Sequence, residues 1–491
     1  MHGSAHADIA TFVAHQDRVA HPRDEPTIRD TKRAIKAHLY TGRTGWNGYS
    51  RTMTSTPPQG SVDSPDSTSR ERMSKFLNYV ELPVRRTRYY TIALIGVALC
   101  FAGYIFFMIR VLRPDVYWLS YYAANYRAGF VRRGLGGQII ALFPDKYYFP
   151  IAYTLMWGSV AIYCGALMLV ARHILCHGIK SERRLIVALL IPVMPFSVSF
   201  AIFGPRPELF AAAALLVFCT TLAHLRTGRG VVASSAVYGL VISALALIHE
   251  VIPIEFALGA VLGLTVLIPW ATPAIRRYGL LAAIGPGLLS TAAIGVFGRK
   301  KLGAQLCEQV PHQNMQDPFG VPSDKVVDYM FGRYQHVADY HDWVCHNISP
   351  YFDASLSAWL KTVLSLGPGV LIAGFLHGLV VCVVTLWLIQ YFTGVRWTVF
   401  KAAISGGLGL PLVALAMIFP VFAIATDWIR WWTVILINLA GVYLIFAASR
   451  PEMEKAVPAR QSKIFLMVFI LLACLPVSAG PSYYAGWVTV K

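Results

Sequence analysis

Eleven long apolar segments constrain this chain more than any other feature of its sequence. They lie at about 90–110, 149–171, 185–203, 208–224, 231–249, 251–269, 279–297, 367–391, 402–425, 428–448 and 464–480. Each approaches the roughly 20 residues that a helix needs to cross a bilayer core. Only 14% of the residues are charged, against about 25% in soluble domains. We therefore predict an all-α polytopic membrane protein with about 11 transmembrane helices.

The residues that precede these segments, 1–84, are polar. The stretch 55–72 reads STPPQGSVDSPDSTSRER, which is rich in Ser and Pro and poor in apolar residues. Such a composition cannot bury enough apolar surface to offset the entropy lost on folding. The sequence therefore predicts a disordered, polar, cytoplasmic N-terminal segment over 1–84 and a polytopic membrane domain over 85–491.

Charge separates the loops into two sets. Arg85, Arg86 and Arg88 precede the first span, and alternate later loops are also basic. Those later residues are Arg172, Lys180, Arg183, Arg184, Arg226, Arg229, Arg276, Arg277, Arg396, Lys401, Arg450, Lys455, Arg460 and Lys463. The other set holds 12 of the 16 acidic residues beyond residue 90. Because cytoplasmic loops are enriched in Lys and Arg, we expect a cytoplasmic N-terminus in an integral protein of a bacterial inner membrane. Loops 113–148 and 298–358 are then outside.

The first outer loop contains the sequence RPDVYWLSYYAANYRAGFVRRGLGGQ at 113–138. Its apolar and aromatic residues recur at steps of three or four, which is typical of one helix face. They are Val116, Leu119, Tyr122, Tyr126 and Phe130. We predict an interfacial helix with the carboxylate of Asp115 at one end and the guanidinium groups of Arg132 and Arg133 at the other. The alternative is a simple membrane anchor in which Asp115 pairs with Arg113.

Three further polar pairs are expected on the same face. Arg206 and Glu208 lie in a tight Pro-rich turn, His249 and Glu250 end one span, and Asp427 and Arg430 begin another. Ionisable residues at the ends of spans are candidates for function because their burial is costly. Each pair also has a purely structural interpretation, as an ion pair, a hydrogen-bonded pair, or a helix cap with its partner.

The long outer loop, 298–358, contains Cys307 and Cys345, which would form a disulfide in an oxidising compartment. It also contains His312, His336, His341 and His346. Their spacing does not match the usual pairs of zinc ligands. We therefore expect a solvated cap held by the disulfide, with a zinc site as the alternative.

The order of these features resembles the GT-C class of integral-membrane glycosyltransferases, which use polyprenyl-phosphate sugars at the non-cytoplasmic face. The shared features are a first span, an outer loop with an early carboxylate (Asp115), a surface helix, many hairpinned spans and a late outer loop. The resemblance implies that Asp115 binds a metal ion or acts as a base. However, no Asp-Asp or Asp-x-Asp pair adjoins Asp115. The arginines also resemble those of lipid-linked polysaccharide polymerases and ligases.

The resemblance implies an enzyme that transfers a sugar from a polyprenyl phosphate or pyrophosphate to a glycan or lipid acceptor. The candidate catalytic residues are Asp115, His249 and Glu250, the candidate phosphate-binding residues are Arg132, Arg133, Arg206 and Arg430, and Glu208 and Asp427 are further outer-face candidates. The expected partners are the lipid-linked sugar and membrane lipid, with a divalent metal ion as a candidate cofactor. We expect no nucleic-acid partner, since no separate basic domain is present. A transporter or flippase of an anionic lipid-linked saccharide, and a non-catalytic membrane scaffold, are the alternatives.

Overall fold

The computed structural model describes residues 84–475, and helices dominate this part of the chain. The longer helices are Val84–Phe106, Tyr148–Cys176, Glu208–His224, Gly228–Ala246, Ile252–Val266, Pro273–Phe297, Gly367–Thr393, Trp428–Ala448 and Ala459–Cys474. Two further apolar regions consist of helix pairs, Glu182–Leu190 with Val198–Phe203 and Gly409–Ala416 with Phe419–Ile424. Short helices and one pair of strands occupy the loops. The predicted disordered segment lies outside the described residues, apart from residue 84 at the start of the first helix.

Seven helical stretches among the described residues are long and apolar enough to cross a membrane. They are Arg86–Leu112, Asp145–Cys176, Glu182–Phe203, Gly228–Ala246, Pro273–Phe297, Gly367–Thr393 and Trp428–Ala448. The other four predicted spans are also helical, but shorter: Glu208–His224, Ile252–Val266, 409–424 and Ala459–Cys474. A helix of 16 residues rises only about 24 Å, less than the roughly 30 Å of a bilayer core. The all-α polytopic fold is therefore confirmed, with seven full-length candidate spans.

The helix Trp428–Ala448 lies inside the bundle, and nearly all of its residues are buried. It packs against Glu208–His224, Ile252–Val266 and Gly367–Thr393. Within this contact, the side-chain amide of Asn438 donates to the carbonyl oxygen of Glu255 at 2.9 Å and accepts from the backbone N–H of Gly259 at 2.6 Å. Buried polar groups need such partners. This pair of hydrogen bonds sets the register between the two helices and positions the helix turn that carries Glu255.

The predicted basic loops meet at one end of the bundle. Arg86 pairs with Glu182 at 2.6 Å, and Arg184 pairs with Glu454 at 3.6 Å. The hydroxyl of Ser181 donates to the carbonyl oxygen of Met453 at 2.6 Å. Loops that the charge pattern assigned to one face are thus in contact. We call the opposite end the outer end, after the side predicted for its loops.

Residues 298–358 form a small cap at the outer end. Cys307 and Cys345 are joined by a disulfide, and strands Asn314–Gln316 and Val337–Asp339 pair antiparallel. The helix Tyr340–Asn347 follows, and its buried residues Tyr340 and Val344 share a hydrophobic cluster with the first outer loop. The cap therefore covers that loop.

The predicted interfacial helix is shorter than its periodicity indicated. The chain is α-helical over Asp115–Leu119, continues as one 3-10 turn over Ser120–Tyr122, and becomes helical again only at Gly134–Ile140. Between these stretches, Gly129 and Arg133 have positive φ values of 108° and 60°, which are incompatible with a continuous right-handed helix. Within the short helical stretch, the apolar spacing reflects burial beneath the cap rather than contact with lipid.

Candidate functional site

Four segments that are distant in sequence bring charged side chains together at the outer end. We define the outer ionic cluster as Arg132, Arg133, Arg206, Glu208, His249, Glu250, Glu255, Asp427 and Arg430. Ion pairs connect residues 132–133 to 250, residue 206 to 427, and residue 430 to both 208 and 427. The cluster has two parts that differ in exposure.

The more exposed part is a pair of arginines on one carboxylate. The Nε of Arg133 donates to Oε2 of Glu250 at 2.9 Å, and its Nη2 donates to Oε1 at 3.3 Å. The Nη1 of Arg132 lies 3.6 Å from the same carboxylate. Arg132 also donates to the carbonyl oxygen of Tyr351 in the cap and lies over the ring of Phe352. Because the arginine side chains remain 29% and 30% exposed, an anion can reach them.

The backbone explains why Arg133 points this way. Arg133 has φ 60° and directly precedes the helix Gly134–Ile140. A Cβ on Gly137 would collide with the carbonyl group of Ala124, so the glycines let this helix pack onto the preceding segment. The N–H of Leu135 then donates to the carbonyl oxygen of Leu247 at 3.2 Å, which anchors the Arg-rich turn beside Glu250.

Glu250 is held in its charged form. Burial raises its pKa, but the positive charge of Arg133 and the hydrogen bonds that it donates, followed by the charge of Arg132, outweigh burial and lower the pKa well below its ordinary value. A carboxylate stabilised in this way is a weak proton acceptor. Its geometry instead suits orientation of the two guanidinium groups.

The buried part of the cluster holds Arg206 and Arg430, which are 5% and 7% exposed. Arg206 lies 3.8 Å from Asp427 and between the rings of Trp118 and Phe200. These contacts surround the guanidinium group with protein, although its Nη1 has no hydrogen-bond partner among the described residues. Of the four predicted phosphate-binding arginines, only Arg132 and Arg133 are therefore open to a substrate.

The contacts of Arg430 link several elements. Its guanidinium group lies 3.5 Å from Asp427 and 3.7 Å from Glu208, and it donates to the hydroxyl of Tyr121 at 3.2 Å. The ring of Trp431 lies beneath it, 4.0 Å from the guanidinium carbon. Arg430 thus joins two bundle helices to the first outer loop.

Glu208, His249 and Glu255 form a compact group beside Arg430. One ligand atom of each lies within 4.8 Å of the others, and all three residues are at most 3% exposed. Burial lowers the pKa of His249 to about 4, although Glu208 opposes this effect. The imidazole is therefore neutral at pH 7. Glu255 was not among the predicted site residues, but a carboxylate inside the apolar run IPIEFALGAV is the signal that could have identified it.

Asp115 lies apart from these contacts. The hydroxyl of Tyr153 donates to its Oδ2 at 3.1 Å, and among the described residues Asp115 makes no ion pair with the cluster arginines or with Arg113. Arg113 instead donates to the carbonyl oxygen of Ile109. Burial raises the pKa of Asp115, while Tyr153 and Arg113 lower it less. Asp115 remains half-buried, so its carboxylate can accept a proton from an outside group.

Among the described residues, the carboxylate of Asp115 is separate from the groups of side chains that could hold a metal ion. Two histidines of the cap, His312 and His341, do come together: their ring centroids lie 4.0 Å apart, and with Asp339 and Asp342 they form a group that could hold a metal ion. His312 pairs with Asp339 and His341 with Asp342, whereas His336 lies beside Asp317. Two of the three metal-capable groups lie in the cap, and one of these includes the cysteines already joined as a disulfide.

Comparison with known proteins places the chain in a family. It is 41% identical over 406 residues to proteins of Mycobacterium tuberculosis and Mycobacterium bovis, named Uncharacterized protein Rv1490 and Uncharacterized protein Mb1527. The matched region covers 82% of this chain and 93% of each relative. No solved structure matches this chain. The family model described as "Uncharacterised membrane protein Rv1490" matches residues 89–473, and the chain therefore belongs to the Rv1490 family of membrane proteins.

Proposed function

We propose that this protein is a membrane-embedded glycosyltransferase that uses a polyprenyl-phosphate or polyprenyl-pyrophosphate sugar at its outer end. The observation that carries the proposal is the pair Arg132–Arg133, partly exposed and oriented by the shared carboxylate of Glu250. Arginine matches phosphate oxygens with two parallel N–H groups. A lipid-linked phosphate at the end of a helix bundle is the anion that such a pair suits.

The arginines would stabilise the leaving group. In the reaction, the acceptor oxygen forms a bond to the anomeric carbon, and the bond from that carbon to the phosphate oxygen breaks. The bonding electrons go to the phosphate, whose growing negative charge the guanidinium groups favour. The proton of the acceptor hydroxyl goes to a base.

Asp115 is the base that best suits an acceptor from outside. It is half-buried, its pKa is raised, and its Oδ1 makes no hydrogen bond with a described residue. His249 is only 3% exposed, and Glu250 is occupied by arginines. Asp115 begins the short helical stretch that ends at Tyr122. That stretch also contains Tyr121, whose ring lies 6.0 Å from the guanidinium carbon of Arg133. The proposal requires a substrate that spans from the arginine pair to Asp115.

Charged groups lie at both ends of the bundle, so their positions do not by themselves separate an enzyme from a transporter. At the end opposite the cluster, Arg86 and Arg184 are paired with carboxylates, and Arg183 donates to three carbonyl oxygens. A transporter of an anionic lipid-linked saccharide needs a binding path through both ends. Exposed arginines, among them Arg172, Arg226 and Arg277, also lie at that end, so only the formation of a transfer product distinguishes the two functions.

The test uses purified full-length protein in detergent with polyprenyl-phosphate and polyprenyl-pyrophosphate sugars and a membrane lipid extract as acceptor. Release of the polyprenyl carrier measures sugar transfer. Binding of sugar-free polyprenyl phosphate measures separately how much the arginine pair contributes to phosphate affinity. Arg133→Ala should weaken that binding about 10- to 100-fold, because it removes hydrogen bonds between charged groups. Arg133→Lys should recover only part of the loss.

Arg127→Ala is the matched control. Arg127 belongs to the same loop, is exposed, and makes no side-chain hydrogen bond or ion pair with the described residues. Its replacement should leave carrier binding and transfer unchanged. Equal binding by wild type, Arg133→Ala and Arg127→Ala would contradict the phosphate role. Binding without any carrier release, across the donors tested, would favour a transporter.

A further inference from the structure

The group formed by Glu208, His249 and Glu255 has more buried acceptor atoms than the protein satisfies. Both carboxylate oxygens of Glu208, both of Glu255 and the Nδ1 of His249 are buried without a hydrogen-bond partner. Glu255 is 0% exposed, Glu208 2% and His249 3%. Leaving buried polar atoms unpartnered is costly, and for a charged group the cost is larger still.

Neighbouring arginines compensate the charge of some of these carboxylates. Arg430 lies 3.7 Å from one oxygen of Glu208, and Asp427 shares both Arg206 and Arg430. Glu255 is the one carboxylate of the outer ionic cluster that forms no ion pair with a described residue. A buried carboxylate in that position requires either a proton or a cation from outside the chain.

The spacing of the three groups favours a cation over a shared proton. A shared proton would bring two acceptor atoms to about 2.7 Å, but no hydrogen bond joins these residues in the described chain. Their ligand atoms nevertheless lie within 4.8 Å of one another. Ligands at about 2.0–2.2 Å from a metal ion are separated by roughly 3–4 Å. The three side chains therefore lie close enough together to share one ion.

We propose that Glu208, His249 and Glu255 bind a divalent transition-metal ion. One imidazole nitrogen and two carboxylates form a donor set that Zn²⁺ or Mn²⁺ accepts, whereas Mg²⁺ prefers oxygen ligands alone. Since each carboxylate has two oxygens, Glu208 can bind the ion through one and retain Arg430 at the other. Three protein ligands leave a coordination position free, as in catalytic sites. The proposal does not depend on the sugar-transfer hypothesis.

The three proposed ligands lie at two helix starts and in one turn, and packing of the helices fixes the positions of all three. Glu208 begins the helix Glu208–His224, His249 lies in the turn after Gly228–Ala246, and Glu255 lies in the first turn of Ile252–Val266. The side chain of Asn438 donates to the carbonyl oxygen of Glu255 at 2.9 Å. This arrangement is preformed, so an ion would bind without ordering a loop.

The test is the metal content of full-length protein in detergent, stripped with a chelator and reloaded with Zn²⁺ alone. We expect one ion per chain at this site, with binding at least about tenfold weaker in Glu255→Gln and His249→Ala. His312→Ala is the control, because it disrupts the exposed cap group of His312, Asp339, His341 and Asp342. It should retain the ion. Parallel titrations with Mn²⁺ and Mg²⁺ should give weaker binding for Mg²⁺.

Glu255→Gln also separates the cation from a buried proton, since glutamine resembles a protonated glutamate. If the site holds a metal ion, Zn²⁺ should raise the melting temperature of wild type but not of Glu255→Gln. A wild type without a saturable site, or a Glu255→Gln protein that keeps the ion, would overturn the proposal. If the variants do not fold, X-ray absorption of Zn²⁺-loaded wild type decides: one imidazole with oxygen ligands supports the site, and sulfur ligands or several imidazoles exclude it.

Discussion

Exposure distinguishes residues of the same type at the outer end. Arg132 and Arg133 keep nearly a third of their side-chain surface exposed, whereas Arg206 and Arg430 are almost fully buried. A buried guanidinium group has already lost its hydration and replaced it with carboxylates and aromatic rings. Its burial closes it to a ligand from solvent. The two exposed arginines are the ones whose charge remains available for binding.

Asp115 gives a prediction at this scale. Burial raises its pKa above the ordinary 3.8, so protonation should abolish proton acceptance at a higher pH than for an exposed aspartate. Because the folded pKa is raised, the protonated form of Asp115 stabilises the folded protein. This contribution to the free energy of unfolding is fully present below the unfolded pKa and is lost as pH rises through the folded pKa.

Asp115→Asn should lower turnover by roughly 10²- to 10⁴-fold with carrier binding retained. The pH profile of transfer measures this, and near-normal turnover in Asp115→Asn would remove Asp115 from the mechanism.

Helix packing at the scale of elements depends on close backbone approaches. Gly239, in the helix Gly228–Ala246, faces the backbone of Ala282 in Pro273–Phe297, and a Cβ there would collide with the carbonyl oxygen of Ala282. Small residues let membrane helices approach in this way, which increases van der Waals contact where no hydrophobic force acts between helices. The same reasoning applies to Gly378, which faces the ring of Trp432.

Gly239→Ala should therefore destabilise the bundle. Overpacking of this kind typically costs about 1–3 kcal/mol, so the melting temperature in detergent should fall. Gly295→Ala is the matched control, because Gly295 is exposed in the neighbouring helix Pro273–Phe297, a Cβ there has no atom within 4 Å, and alanine favours helix. Its melting temperature should stay the same or rise. Equal changes in melting temperature for the two substitutions would show that the close approach at Gly239 does not limit the stability of the bundle.

At the scale of the whole molecule, the charged loops are segregated at the two ends of the bundle. The end with Arg86, Arg183 and Arg184 is basic, and the contacts there join residues about 270 positions apart in sequence. The other end has the cap and the outer ionic cluster. We predict that the cap faces outside and the basic end faces the cytoplasm.

Single cysteines test this orientation in a background whose six free cysteines are replaced with alanine. Ser323→Cys lies in the cap and Ala456→Cys in a basic loop, and both positions are exposed. In intact cells, an impermeant maleimide should label Ser323→Cys, and it should label Ala456→Cys only after the membrane is opened. The reverse pattern would place the arginine pair on the cytoplasmic side and exclude an outer-face transferase.

The sequence by itself determined the helices and their general arrangement. All eleven apolar segments contain helix in the described chain, because burial of apolar surface is non-directional and long apolar runs satisfy their backbone only as helices. Tertiary structure alone decided which charged groups meet. Arg133 pairs with Glu250, more than a hundred residues away, and Glu255 joins Glu208 and His249. An ion pair or ligand set requires atoms within about 4 Å, and only the packed helices and the strained turn at Arg133 fix positions that closely.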